Sequence, residues 1–283
     1  MTTTPVPSQV KHTIRRLRAG VWSQYDDSLA AEEPLEIRLL WQEDGAIVRK
    51  PIAITMRTPG DDFELAVGFL YGEGLIADQA DVVDVSYCTD EDEDQAFNIV
   101  NVTLRPGLVF DTTRLERNFY TTSSCGVCGK ASLEQLELRG CPVIAPGPEV
   151  SAETIYSLPE KLREAQGLFD ATGGLHAAAL FDPEGNLLAL REDVGRHNAT
   201  DKLVGWALLE GRLPLSDHIV MVSGRSSFEI LQKCLTAGVP VVCAISAPSS
   251  LAVDVAREFG MTLVGFLRGS RFNVYAGHER VAF

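Results

Sequence analysis

The chain has 283 residues, 45% of them hydrophobic, and a formal charge of −14 at pH 7. That length carries two domains or one large one, with a full apolar core and no need of covalent staples, and the acidic balance argues against a nucleic-acid surface while leaving room for a local basic pocket. Six cysteines are too sparse for a disulfide framework, the opening MTTTPVPSQVKH has no apolar leader core, and no apolar run approaches a membrane span, so a cytoplasmic chain is expected.

Residues 1 to about 12 read as a disordered tail. Runs 35–41 and 47–56 flank Gln42-Glu43-Asp44-Gly45, a turn signal between two strands. Thr58-Pro59-Gly60-Asp61-Asp62 opens a helix with Phe63, Val67 and Leu70 on one face, acids in its first turn and Gly72 beyond. Runs 82–87 and 98–104 predict two more strands. The acidic run Asp90-Glu91-Asp92-Glu93-Asp94 between them reads as a solvated loop or as a docking site for a basic partner. A first α+β domain is expected over 13–118.

Thr-Thr-Ser-Ser-Cys-Gly-Val-Cys-Gly-Lys, from Thr121, follows. Cys125 and Cys128 stand three positions apart among small residues, and Leu133, Leu136 and Leu138 predict a short helix behind them. A helix N-terminus and the nearby Lys130 both favour thiolate over thiol. Such a pair serves in a zinc site, a redox dithiol or a sulfur relay, or is an incidental turn. Structural zinc takes four ligands, and the sequence has no second C-x-x-C or H-x(3–5)-H, so no structural metal is expected. A zinc deaminase requires H-x-E and P-C-x-x-C. None of His12, His176, His197, His218 or His278 has Glu two places on, and Ser124 stands in the proline position. Redox dithiol and sulfur carrier remain. Cys88 and Cys141 are isolated; Cys234 and Cys243 lie in apolar runs and are expected to be buried.

The second half changes pattern. Runs 177–181 and 187–190 around Asp182-Pro183-Glu184-Gly185-Asn186 predict a hairpin. From Asp217, apolar strands 219–222, 239–245 and 262–267 alternate with helices 226–237 and 249–259, closed by Gly238 and Gly260. This predicts right-handed crossovers and a parallel sheet covered on both faces, an α/β unit with three layers. Ligands of such sheets bind beyond the carboxyl ends of the strands, and the cysteine loop is expected to reach that edge. The loops there begin at Ser223, Ser246 and Arg268, and two of them lead into helix N-termini. Arg225, Arg268 and Arg271 with several hydroxyls suggest a phosphate-bearing ligand, against ordinary N-caps and surface arginines. No Walker or G-x-G-x-x-G pattern occurs. In the polar turn from Arg191 to Asn198, His197 beside Arg196 is a candidate for ligand contact or thiol activation. His176 is as well suited to a structural role as to a ligand, and the other three histidines read as structural.

Seven segments together resemble the FdhD/NarQ family. They are RTPGDDFELAVGFLYGEG from Arg57, TTSSCGVCGK from Thr121, TGGLHAAALF from Thr172, REDVGRHNATDKLVG from Arg191, SGRSSFEI from Ser223, SAPSSLAV from Ser246 and GFLRGSRFNVY from Gly265. The resemblance implies a cytidine-deaminase-like α/β domain over 119–283 behind the smaller α+β domain. It implies a cytoplasmic sulfur carrier for formate dehydrogenase maturation. Such a sulfurtransferase takes persulfide sulfur from a cysteine desulfurase and passes it to the molybdenum cofactor in its bis(molybdopterin guanine dinucleotide) form. The family's persulfide cysteine falls on Cys125 and its second loop cysteine on Cys128. Its cofactor-binding stretch falls on Phe266, Leu267, Arg268, Gly269, Ser270 and Arg271, with Phe266 either a stacking face or core. A homodimer is implied, with no nucleic-acid or membrane partner. The rival readings are a thiol-disulfide oxidoreductase using Cys125 and Cys128, and a non-catalytic guanine-nucleotide-binding module.

Overall fold

The computed structural model describes residues 6–88, 97–108, 136, 141 and 143–282. The acidic run at 90–94 and the expected boundary near 118 lie outside these residues. Instead of continuing as a tail, the chain opens with strand β1 (Gln9–Arg18), paired antiparallel with β2 (Val21–Ala30) in a ribbon of its own. Ala19 and Gly20, at φ 49° and 81°, form the two-residue turn. The expectation of disorder over 9–12 is therefore corrected. No face of the ribbon is buried, so no alternation of apolar and polar residues betrays it. Leu17, Val21, Trp22 and Tyr25 are exposed.

The expected hairpin is β3 (Glu33–Glu43) and β4 (Ala46–Arg57), joined by Asp44 and Gly45 at φ 49° and 80°. Strands β5 (Val82–Tyr87) and β6 (Ile99–Leu104) complete a four-stranded sheet in the order β4-β3-β6-β5, with β3 and β6 parallel. Helix α1 (Asp62–Gly72) packs Leu65, Ala66, Val67 and Leu70 against Leu35, Ile37, Leu39, Ile52, Val100 and Val102.

In the second half, β7 (Val150–Ser151) and helices α2 (Ala152–Ala165) and α3 (Gly167–Thr172) precede the hairpin β8 (His176–Phe181) and β9 (Leu187–Asp193). Helix α4 (Arg196–Leu209) follows, then β10 (Ile219–Val222), α5 (Phe228–Thr236), β11 (Val241–Ala244), α6 (Ser250–Glu258), β12 (Thr262–Arg268) and β13 (Arg271–Ala276). A last strand, β14 (Val281–Ala282), pairs with β7. The six-stranded sheet runs β13-β12-β11-β10-β8-β9. Only β10, β11 and β12 are mutually parallel, because tight turns rather than helices join β8 to β9 and β12 to β13. The three strands expected to be parallel are parallel, and the predicted hairpin and β13 extend them into a mixed sheet. Val220, Val222, Val242 and Ala244 face α4, α5 and α6, while Ile219, Met221, Val241 and Cys243 face α2. Cys234 and Cys243 are buried as expected, and desolvation pushes both thiols up to about 12.

The two halves meet where α1 crosses α4. A Cβ on Gly68 would lie 1.9 Å from the Asp201 carbonyl oxygen, and one on Gly205 would lie 1.9 Å from that of Glu64. The helices therefore touch backbone to backbone, which only glycine permits. Around this contact sit fully buried ion pairs. Arg57 donates from Nε and Nη2 to the two Asp62 oxygens, each at 2.9 Å, and Lys202 Nζ lies 2.8 Å from Asp193 Oδ2. Lys202 also donates to Thr58 O, and Thr58 N to Asp193 Oδ2, so the pair is satisfied from both halves.

Gly205→Ala should cost at least about 2–3 kcal/mol in urea unfolding, the overpacking range. Gly167→Ala, where a Cβ meets nothing within 4 Å, should change stability by less than about 0.5 kcal/mol. Equal stabilities for the two variants would contradict the backbone contact.

Candidate functional site

At the carboxyl ends of β10, β11 and β12 three loops form one continuous edge. The loop after β10 leads to α5, whose N-cap is Ser227, and the loop after β11 leads to α6, capped by Ser249. Ser249 Oγ accepts from Ala252 N at 3.2 Å, so this serine is an ordinary cap. Ser226 bridges to Pro248 in parallel fashion, and Ser249 N donates to Ser226 O at 2.9 Å. Next along the edge, Phe266 N donates to Ser246 O at 3.2 Å.

Beyond that bond β12 bulges, with register shifts against β13 between Gly265 and Arg268. Phe266 adopts φ 53°, uncommon for a bulky side chain, and stands 42% exposed. The bulge turns this ring away from the core that strand alternation would have given it. Leu267 is the buried member of the stretch, packed in the core beside α2, so only its backbone faces the edge. Arg268 and Arg271 are paired across the turn through Gly269 and Ser270, and all four are exposed.

The opposite end of the edge is a corner of β8, β10, α4 and α5. Ser223 Oγ accepts from Ala177 N at 2.9 Å, which holds the loop after β10 against the start of β8 at His176. His197, in the first turn of α4, places Nε2 3.1 Å from Ser227 Oγ and 3.7 Å from Glu229 Oε2. Burial first, and then the Arg196 charge, lowers the His197 imidazole to about 4. The same causes in the same order lower His176. Both rings are neutral at pH 7 beside a permanent cation.

Much of the polar turn before α4 is framework. Arg191 pairs with Glu64 at 2.5 Å and 2.8 Å, across to α1. Glu192 accepts from Leu168 N and Phe169 N at the start of α3. Asp193 takes Lys202, Thr58 N, Gly195 N and Asn198 Nδ2. These bonds fix where Arg196 and His197 begin their helix. Sequence reasoning found His197, but it did not foresee Ser227 as its partner; the only signal was a serine directly before an apolar helix. Cys125 and Cys128, with Lys130, lie outside the described residues. Of the remaining histidines, His12 and His278 are exposed and His218 is half-buried, none of them on this edge.

The FdhD/NarQ family model matches residues 30–282. The chain belongs to the FdhD/NarQ family. Named relatives agree along nearly the whole length. The Sulfur carrier protein FdhD of Streptomyces coelicolor is 55% identical over 276 residues, covering 96% of this chain and 95% of that one. The protein of the same name from Mycobacterium tuberculosis is 49% identical, covering 95% and 96%. That of Sulfurisphaera tokodaii is 48% identical, covering 96% and 99%. A crystal structure from Desulfotalea psychrophila, described as a formate dehydrogenase accessory protein, superposes with a TM-score of 0.72 at 26% identity, over 98% of this chain and 100% of that one. The family match takes in Cys125 and Cys128, both arginines of the β12–β13 turn and the histidine corner.

The neutral His197 has a consequence for acid stability. Its folded value near 4 lies below the ordinary 6.5, so between those pH values the unfolded chain binds the extra proton. The stabilisation is present above about pH 6.5 and is lost as pH falls towards 4. In a His197→Gln variant the urea midpoint should fall less steeply across that window than in the wild type. Parallel profiles would contradict the half-buried, neutral assignment.

Proposed function

We propose that the chain is a carrier-type sulfurtransferase that loads sulfur on Cys125 and delivers it to the molybdenum cofactor before insertion into formate dehydrogenase. Membership of the FdhD/NarQ family supports the general role, since relatives at about half identity carry the name sulfur carrier protein. The observation that carries the finer reading is the continuous edge from Arg268 to Ser227. It offers what a large cofactor with phosphate links and flat rings requires: two exposed guanidinium groups, backbone N–H groups and one outward-facing aromatic ring.

In this reading the Cys125 thiolate attacks the outer sulfur of a cysteine desulfurase persulfide. The desulfurase cysteine leaves as thiolate, and Cys125 keeps the outer sulfur as its own persulfide. The bis(molybdopterin guanine dinucleotide) cofactor is the acceptor, held at Phe266, Leu267, Arg268, Gly269, Ser270 and Arg271. Phe266 stacks on a ring, Arg268 and Arg271 take phosphate oxygens, and Leu267, Gly269 and Ser270 contribute backbone. Cys128 supports the rate of transfer or protects the persulfide. The reading places the protein in the cytoplasm as a homodimer, with a cytidine-deaminase-like domain over 119–283 and an α+β domain over 13–118.

The test is restoration of formate dehydrogenase activity in a strain lacking the carrier. Cys125→Ala should restore none while folding normally, and Cys128→Ala should restore part. Full restoration by Cys125→Ala with none by Cys128→Ala would assign the sulfur to the other cysteine, and full restoration by both would remove the thiols from the function.

A further inference from the structure

The β1–β2 ribbon stands outside both large sheets. Its ten-residue strands give an arm of roughly 33 Å, and β2 touches the body of the chain at α3. From Arg15 round the turn to Asp26 every residue is exposed. A two-stranded ribbon surrounded by water alone is marginally stable, so an arm this long calls for a further surface.

The far end of the arm is apolar on both faces. Cross-strand partners share a face, so Leu17 lies beside Trp22 on one face and Val21 beside Arg18 on the other. Leu17, Trp22 and Val21 are 54%, 65% and 68% exposed, and they flank the Ala19-Gly20 turn. Around and behind them stand Arg18, Arg16, Arg15 and Lys11, and no acidic residue occurs from Gln9 to Tyr25. On a chain of net charge −14 the arm is an island of positive charge. Arg16 lies 3.5 Å over the Tyr25 ring, which joins a cation to an exposed aromatic face. The first acids, Asp26 and Asp27, come towards the base, where Asp26 already takes the Thr13 hydroxyl at 2.8 Å.

A protein surface covers one face of such a ribbon. A medium that is apolar inside and anionic at its boundary accepts both faces of the tip and the basic collar together. Tryptophan settles at the boundary of lipid tails and headgroups, and arginine stems reach back to keep their charge in the headgroup layer. We propose that the β1–β2 ribbon docks the chain on an anionic lipid bilayer. Leu17, Val21 and Trp22 enter the boundary of the acyl layer, and Lys11, Arg15, Arg16 and Arg18 meet the anionic headgroups. The contact is peripheral and reversible, and no helix among the described residues is long and apolar enough to cross a membrane. The same surface repels the acidic body, so the arm also orients the chain on it. This departs from the expectation of no membrane partner, and it stands independently of the sulfur chemistry.

Co-sedimentation of the full chain with two sets of lipid vesicles tests this. One set holds equal parts of phosphatidylglycerol and phosphatidylcholine, the other phosphatidylcholine alone. Wild type should bind the anionic set about tenfold or more tightly than the neutral one, and should lose binding as salt rises. Leu17→Ser together with Trp22→Ser should weaken binding about tenfold or more, and Arg15→Gln and Arg16→Gln about fivefold each. Ile54→Ser, which removes an exposed apolar side chain from β4, should change nothing. All these positions are exposed, and circular dichroism checks that folding is retained. Absence of wild-type binding to the anionic vesicles overturns the proposal, as does equal binding to both sets. Unchanged binding in the serine and arginine variants, or an equal loss in Ile54→Ser, also overturns it. Light scattering without lipid reads the rival occupant: a change of oligomeric mass in the Leu17→Ser, Trp22→Ser variant assigns the ribbon to a second copy of the chain and overturns the lipid reading.

Discussion

The backbone contact between α1 and α4 is the constraint on which the rest of the molecule depends. With Gly68 and Gly205 each facing a carbonyl of the other helix, α4 has no freedom to slide or rotate against the first half. It is buried nearly all round, between α1, the sheet and α5, and Asn198 to Gly205 are all inaccessible. Lys202 and Asp193 are locked inside the same contact. Removing either partner would leave an uncompensated buried charge, a loss on the order of 3–5 kcal/mol. The helix that fixes how the halves pack is also the helix whose first turn carries Arg196 and His197. A rigid seat for the site follows from the packing itself.

Charge is distributed to match. The chain is acidic as a whole, yet the carboxylates nearest α4 are spent on structure: Asp62 on Arg57, Glu64 on Arg191, Glu192 on the start of α3, and Asp193 on Lys202. Among the described residues the carboxyl edge is mostly positive or neutral: Arg225, Arg268 and Arg271 are exposed, and two imidazoles are held uncharged. An anionic ligand therefore meets a local potential opposite to the net charge of the protein.

Legibility in the sequence tracked burial. Strands β10, β11 and β12 were visible because both of their faces are apolar, and α5 and α6 because Gly238 and Gly260 end them at φ 77° and 69°. The Asp44-Gly45 turn was visible because positive φ at both positions favours those residues. The β1–β2 ribbon was not, since a two-stranded element with no core face leaves no period. Strand β13 was hidden for another reason: its alternating, half-exposed face carries little apolar signal, and the bulge at Phe266 depends on its pairing with β12. At the site, the arginines and His197 stood out by type. The pairing of Thr58 with Asp193, 135 positions apart, did not.

Whether sulfur rides on Cys125 is the central claim, and intact-mass measurement reads it directly. The full chain is incubated with a cysteine desulfurase and cysteine, then analysed without reductant beside its Cys125→Ala variant. The account expects an adduct of about 32 Da, one sulfur, on the wild type and none on the variant. Loss of about 2 Da, the signature of a Cys125–Cys128 disulfide, with no sulfur adduct would contradict it and make the chain a thiol-disulfide oxidoreductase.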